Sequence, residues 1–245
     1  MVFKKIVLFL GITLIINCSL WSQSKTIKPT KAVINKQAIN TILPTEVKVL
    51  IETPYGNMVV KLYNETPLHR DNFLKLVDQQ FYDSLLFHRV IKNFMIQGGD
   101  PTSKYADSIT PVGSGSAPGE RITAEFKTNF FHKKGALAAA RDNNPERASS
   151  NCQFYIVQGK KYDSTEIKSV LSRVLAANPQ FTYQKQQLEV YERIGGTPFL
   201  DQSYTVFGEV ISGLEVIDKI AEQKTKPGDR PIKDIRMKIS RLAVK

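Results

Sequence analysis

The chain has 245 residues, 42% hydrophobic and 23% charged, the proportions of an ordinary soluble globular protein with room for one or two domains. Its net charge of +11, from 34 Lys and Arg against 23 Asp and Glu, is scattered among acidic neighbours without a block of five like charges. That pattern argues for a basic solvated surface and against nucleic acid as a partner. Cys18 lies near the start of the chain and Cys152 in a strand-like block, so no disulfide is expected and the fold must stand on its core.

In chain order, Lys4 and Lys5 precede an apolar run from Ile6 to Ile16 broken only by Gly11 and Thr13. This is the make-up of a secretory leader and is short for a membrane span. It predicts export to the periplasm or cell envelope. Two processing routes stay open: cleavage of a 1–23 signal peptide near Ser22 or Gln23, or a lipoprotein signal in which Ile15-Ile16-Asn17 leads to a lipidated Cys18. That lipid would be the only membrane attachment. Residues 24–44 are polar, contain Pro29 and Pro44, and read as a linker to a folded domain over 45–245.

Val47–Ile51 and Met58–Leu62 are β-type runs around the turn residues Pro54-Tyr55-Gly56-Asn57, a hairpin. Thr66-Pro67 supplies an N-cap and a first-turn proline for a helix to about Gln80. Strands are expected over Leu85–Ile91 and Phe94–Gln97, followed by a Gly/Ser/Pro-rich surface loop from Gly113 to Glu120 that lacks a phosphate-loop ending. Further strands are expected over Gly135–Arg141 and Gln153–Val157, with Cys152 a small core residue. Residues 160–196 read as an inserted helical hairpin. Asp163 and Glu166 form a capping box, and Ile167, Val170, Leu171, Val174 and Leu175 make one apolar stripe. A second helix carries Leu188, Tyr191 and Ile194 and stops at Gly195-Gly196. A strand over Tyr204–Ile211, a helix capped by Ser212 and Glu215, and a strand from about Ile232 to Val244 complete the chain. Many short strands with two peripheral helices predict a mainly β, closed antiparallel barrel.

FHRVIKNFMIQGGDP (Phe87 to Pro101) sets Arg89 beside Phe94 and Met95, with Gln97 and a Gly-Gly-Asp turn after them, which suits a shallow apolar pocket with one strong donor on its rim. GALAAARDNNPERASSNCQFYIVQG (Gly135 to Gly159) supplies a second wall. With TPLHRDNFLKLV, FLDQSYTVFGEV and GDRPIKDIRM, these stretches resemble the cyclophilins, peptidyl-prolyl cis/trans isomerases, over nearly all of 45–245 outside the insertion. The resemblance implies an eight-stranded antiparallel barrel capped by two helices, a monomer, no cofactor, and proline-containing folding or unfolded proteins as substrates. It implies Arg89 as the catalytic donor and Phe94, Met95, Tyr155 and Leu200 as the walls for the proline ring. Gln97, Ala140, Arg141 and Gln153 then contact the peptide backbone. Tyr155 stands where phenylalanine is usual, Arg141 where asparagine is common, Phe199 for a frequent tryptophan and Tyr204 for a histidine, and Gln202-Ser203 departs from an Asp-Gly turn. Phe199 and Tyr204 stay in the substrate site under this reading, with inhibitor binding altered. A rival reading, a peptide holder without turnover, is opposed by the intact Arg89, Phe94, Met95, Gln97 and Gln153. His88 should face away from Arg89 on its strand. His69 and His132 lack companions at metal-ligand spacing, so no metal is expected.

Overall fold

Val49, Ile51, Met58, Val60 and Leu62 recur at every second position and all are buried, so β1 (Lys48–Thr53) and β2 (Gly56–Leu62) turn one face to the core. They are the hairpin expected from the sequence. Thr53 Oγ1 closes its turn by donating to the Gly56 carbonyl at 2.8 Å and accepting from Tyr55 N–H at 3.1 Å. The computed structural model describes residues 46–243; the expected leader (1–23), with Cys18, and the linker (24–44) lie outside the described residues. Six more strands follow: β3 (Arg89–Ile91), β4 (Met95–Gly98), β5 (Ala136–Ala139), β6 (Phe154–Val157), β7 (Val206–Ser212) and β8 (Lys238–Arg241). They form one antiparallel sheet in the order β3-β4-β6-β5-β7-β2-β1-β8.

The closed barrel expected from the sequence is not formed by these strands. The sheet curls into an open half-barrel with β3 and β8 at its edges. The outer strands are shorter than expected: β3 keeps only Arg89–Ile91 and β8 only Lys238–Arg241 of the runs anticipated for them. Across the gap the segments just ahead of β3 and β8 meet: Ser84 N–H, Phe87 N–H and Met237 N–H donate to the Met237, Ile235 and Leu85 carbonyls, each at 2.9 Å.

Helices α1 (Pro67–Asp78) and α4 (Leu214–Ala221) cover the curled sheet. Their starts differ from the sequence reading. Thr66 does not cap α1; the carboxylate of Glu125 accepts from Leu68 N–H at 3.1 Å and His69 N–H at 3.0 Å instead. The Ser212–Glu215 box is not made, because Gly213, at φ 86°, is the N-cap of α4. The insertion supplies α2 (Ser164–Ala177), with the Asp163–Glu166 capping box formed, and α3 (Lys185–Arg193). Its ends are clamped where Lys160 and Gly196 exchange backbone hydrogen bonds of 3.3 and 3.0 Å. A Cβ on Gly196 would stand 2.2 Å from the His132 carbonyl, so the chain there must be glycine. Ile167 and Leu171 pack with Tyr162 and Tyr191 in a small core of the hairpin's own, whereas Leu175, the fifth residue of the stripe, is exposed.

β5 and β6 are buried on both faces. Leu137, Ala139, Phe154 and Ile156 join the main core with Phe73, Tyr82, Phe87 and Phe207. Their neighbours Ala136, Ala138, Ala140, Tyr155 and Val157 join a second cluster with Met95 and Val206. Cys152 is a buried thiol whose pKa burial pushes up, a core residue as expected.

His88 is buried, and its ring nitrogens have no hydrogen-bond partner among the described residues. Burial pushes its pKa down to about 4, against an opposing pull from Asp100. Burial lowers His69 as well. Both imidazoles are therefore neutral in the fold, while the unfolded chain binds protons near pH 6.5. Their contribution is complete above that pH and is lost as pH falls toward the folded values. Urea unfolding should show stability falling by on the order of 2–3 kcal/mol between pH 7.5 and 4.5 from His88 alone. In His88→Leu that part of the slope should vanish; an unchanged slope would contradict the assignment.

Candidate functional site

Residues opposite one another in an antiparallel ladder share a face. Arg89 on β3 is opposite Gln97 on β4, Gln97 is opposite Tyr155 on β6, and Tyr155 is opposite Ala138 on β5. One row across four strands thus carries a cation, an amide and an aromatic ring onto the second cluster. Met95, one pleat along β4 from Gln97, lies on the same face, and Phe94 precedes it in the β3–β4 turn. From outside the ladder, the Pro198–Leu200 3₁₀ turn brings Leu200, and the bend ahead of β7 brings Tyr204.

These residues enclose a cleft of about 110 Å³ lined by Arg89, Phe94, Met95, Gln97, Ala140, Arg141, Tyr155, Leu200 and Tyr204. Two residues expected in the site are not among its walls. Gln153 lines an adjoining basin of about 520 Å³ together with Gln97, Ala140 and Arg141. Phe199 lies at the rim, half exposed, its ring 5.6 Å from that of Phe94.

The polar groups are held by neighbours that the motif reading did not single out. Arg89 Nε donates to Asp229 Oδ2 at 3.3 Å, and its guanidinium stands 6.0 Å from the Phe94 ring centre. Gln97 Nε2 donates to Gln153 Oε1 at 3.0 Å, and Gln153 Nε2 donates to the Gly113 and Gly115 carbonyls at 2.9 and 2.8 Å. The Gly113–Glu120 segment is therefore a wall of the basin, where the sequence suggested a plain surface loop. Its approach depends on Gly115, where a Cβ would meet Asp100 Oδ1 at 2.2 Å. Arg141 Nε donates to the Ser203 carbonyl at 2.9 Å while the guanidinium lies 4.6 Å from the Tyr204 ring centre.

Behind the cleft is a buried polar chain. Asp201 Oδ1 accepts from His132 N–H at 2.8 Å and lies 2.7 Å from His132 Nδ1. With Nδ1 as donor, His132 Nε2 accepts from the Tyr155 hydroxyl at 3.0 Å. Asp201 Oδ2 accepts from Tyr183 at 2.8 Å and Tyr191 at 2.5 Å, both in the insertion. Burial first, and then Asp201, push the Tyr183 and Tyr191 hydroxyls well above the ordinary tyrosine range; burial does most to raise Tyr155. All three therefore remain donors. The hydroxyl that distinguishes Tyr155 from phenylalanine thus connects the cleft to the helical hairpin. His88 does not line the cleft; it lines an adjoining cavity of about 490 Å³ that shares Arg89 and Gln97 with the cleft and is bounded also by Lys226 and Arg230.

A family model for the cyclophilin-type peptidyl-prolyl cis-trans isomerases matches residues 48–242. A putative peptidyl-prolyl cis-trans isomerase of Staphylococcus aureus (strain USA300) is 37% identical over 191 residues, covering 78% of this chain and 88% of that one. One from Staphylococcus saprophyticus is 35% identical over 203 residues, covering 82% and 94%. Among solved structures, a Cryptosporidium parvum cyclophilin-type peptidyl-prolyl cis-trans isomerase superposes with a TM-score of 0.58 at 24% identity, covering 82% of this chain and 99% of that one. The same protein in the presence of the dipeptide Ala-Pro also gives 0.58, at 23% identity.

The Tyr191 hydroxyl bond to Asp201 can be removed without disturbing ring packing. Tyr191→Phe is expected to lower stability by about 1.5–3 kcal/mol, the range for a hydrogen bond to a charged group. Denaturant midpoints at constant m-value would show it; a loss under about 0.5 kcal/mol would mean the buried chain carries little of the fold.

Proposed function

This chain belongs to the cyclophilin-type peptidyl-prolyl cis-trans isomerases, and from that premise we propose that Arg89 is the donor that lowers the barrier to rotation about X-Pro bonds bound in the 110 Å³ cleft. One observation carries the assignment. Asp229 takes only Nε of Arg89, so both terminal amino groups of the guanidinium have no protein partner among the described residues and stand at the edge of an apolar cleft.

The reaction needs no nucleophile. The amide resists rotation by ~18–20 kcal/mol because its C–N bond has partial double-bond character. The cis and trans forms of X-Pro differ by only about 0.5–1 kcal/mol, so both occur. Twisting the amide returns a lone pair to the proline nitrogen. A donor aimed at that nitrogen gains a hydrogen bond that the planar ground state does not offer, and such a difference is what accelerates the step. Arginine suits the task because it stays charged and presents rigidly placed donors. Asp229 fixes its orientation without consuming the donors required.

In this reading Phe94, Met95, Tyr155 and Leu200 hold the pyrrolidine ring. Gln97, its Nε2 already committed to Gln153, offers Oε1 to a substrate N–H. Ala140, Arg141 and Gln153 line the path of the peptide backbone through the adjoining basin. The Ala-Pro dipeptide present with the Cryptosporidium neighbour supports proline-containing peptides as the substrate class. The leader composition supports clients that fold in the cell envelope.

Arg89→Ala should reduce kcat/KM on a short Xaa-Pro peptide by about two to three orders of magnitude, or ~3–4 kcal/mol of transition-state stabilisation. Circular dichroism should remain native. A folded variant with wild-type turnover would remove Arg89 from the mechanism. For the location, mass spectrometry of the mature N-terminus separates the routes: a lipidated Cys18 or a free start near Gln23 or Ser24 is expected. An intact Met1 on a cytosolic protein would overturn export.

A further inference from the structure

Between α2 and the turn that follows the insertion runs a groove of about 340 Å³, lined by Val170, Arg173, Val174, Ala177, Asn178 and Phe199 together with Asp201 and Ser203. It shares no lining residue with the proline cleft, yet the two are continuous along the chain. In the 198–200 turn, Leu200 faces the cleft and Phe199 faces the groove. We propose that this groove is a second substrate subsite, which takes an apolar side chain of the client one or two residues from the proline, with an acidic residue beside it facing Arg173. The proposal rests on the assignment of the 110 Å³ cleft to proline.

Spacing supports it. Leu200 and Phe199 are consecutive in the 198–200 turn, so adjacent residues flank the cleft and the groove, and an extended peptide advances about 3.3–3.6 Å per residue. A client whose proline lies against Leu200 therefore carries its neighbour over Phe199 and the following residue into the groove. Chemistry supports it too. Val170, Val174, Ala177 and Phe199 offer apolar surface, and Phe199 is half exposed although its ring lies 5.6 Å from that of Phe94.

The wall is anchored at both ends. Arg147 Nη1 ties α2 to the rim by donating to Asn178 Oδ1 at 3.4 Å and the Gln202 carbonyl at 3.0 Å. Tyr183 and Tyr191 hold the hairpin to Asp201. The exposed charge on its wall is Arg173, because the Asp201 carboxylate that also lines the groove is enclosed and bonded to His132, Tyr183 and Tyr191. Arg141 and Arg147 donate to carbonyl oxygens, and Arg173 is exposed, so none of the three meets a carboxylate among the described residues.

The test uses the mature enzyme and a set of short proline peptides. An all-alanine parent is compared with peptides carrying Leu one or two residues from the proline on either side, and then with Glu or Lys next to that Leu. At one of these positions Leu should raise kcat/KM about tenfold over Ala. Glu should exceed Lys by about threefold, the effect shrinking in high salt. In Val170→Asp the Leu-to-Ala ratio should fall to about one. Arg173→Glu, a change at an exposed position, should reverse the Glu-over-Lys preference, and it carries the test alone if Val170→Asp fails to fold. Equal rates for Leu and Ala at every position, or preferences unchanged in Arg173→Glu, would overturn the subsite while leaving the cleft assignment intact. Failure to turn over even the alanine parent would overturn the cleft assignment and the subsite with it.

Discussion

Burial of both faces of the β4–β6–β5 ladder is the constraint on which the rest depends. A strand sends successive side chains to opposite faces, so each of these short strands must supply two sets of side chains at once. Phe154 and Ile156 fill the main core while Tyr155 and Val157 join the second cluster, from which Tyr155 lines the cleft. A shift of one residue would exchange the two sets, place Phe154 in the cleft and drive a tyrosine hydroxyl into the aromatic cluster around Phe73. The packing that keeps the sheet curled is therefore the same packing that fixes the row of Arg89, Gln97 and Tyr155.

How much of this was legible in the sequence followed the range of the forces involved. The β1–β2 hairpin, the helical stripe of α2 and the Asp163–Glu166 box depend on residues a few positions apart, and all were readable. The cap of α1 was not, because Glu125 reaches it from 57 residues away. Nor was the open edge of the sheet, since what joins the segments ahead of β3 and β8 is a few hydrogen bonds between residues far apart in sequence, such as Ser84 and Met237. In the site, the family resemblance named nine residues that line the cleft, while Gln153 and Phe199, named with them, lie just outside it. The supporting set escaped notice: Asp229 lies 140 residues from Arg89, and Asp201 lies 69 from His132. Polar partners so distant in sequence leave no periodicity to detect.

Asp201 shows how a buried charge is tolerated. Its carboxylate is wholly enclosed, a costly arrangement unless its lone pairs are met. One oxygen takes two donors from His132 and the other takes the Tyr183 and Tyr191 hydroxyls. The next residue, Gln202, adopts φ 58°, a conformation unfavourable for a side chain. Its carbonyl and side-chain amide are engaged by Arg147 and by the Lys127 carbonyl, contacts that offset the strain.

The clamp between Lys160 and Gly196 has a consequence for how this part of the chain can change over evolution. Because the two ends meet through backbone atoms, the junction is indifferent to the length and most of the composition of what lies between them. Each doubling of such a loop adds only about 0.6 kcal/mol of closure entropy. The position is thus a socket at which cassettes of different length can be exchanged while the strands on either side keep their register, and only a cassette bringing its own donors to Asp201 would leave that carboxylate satisfied.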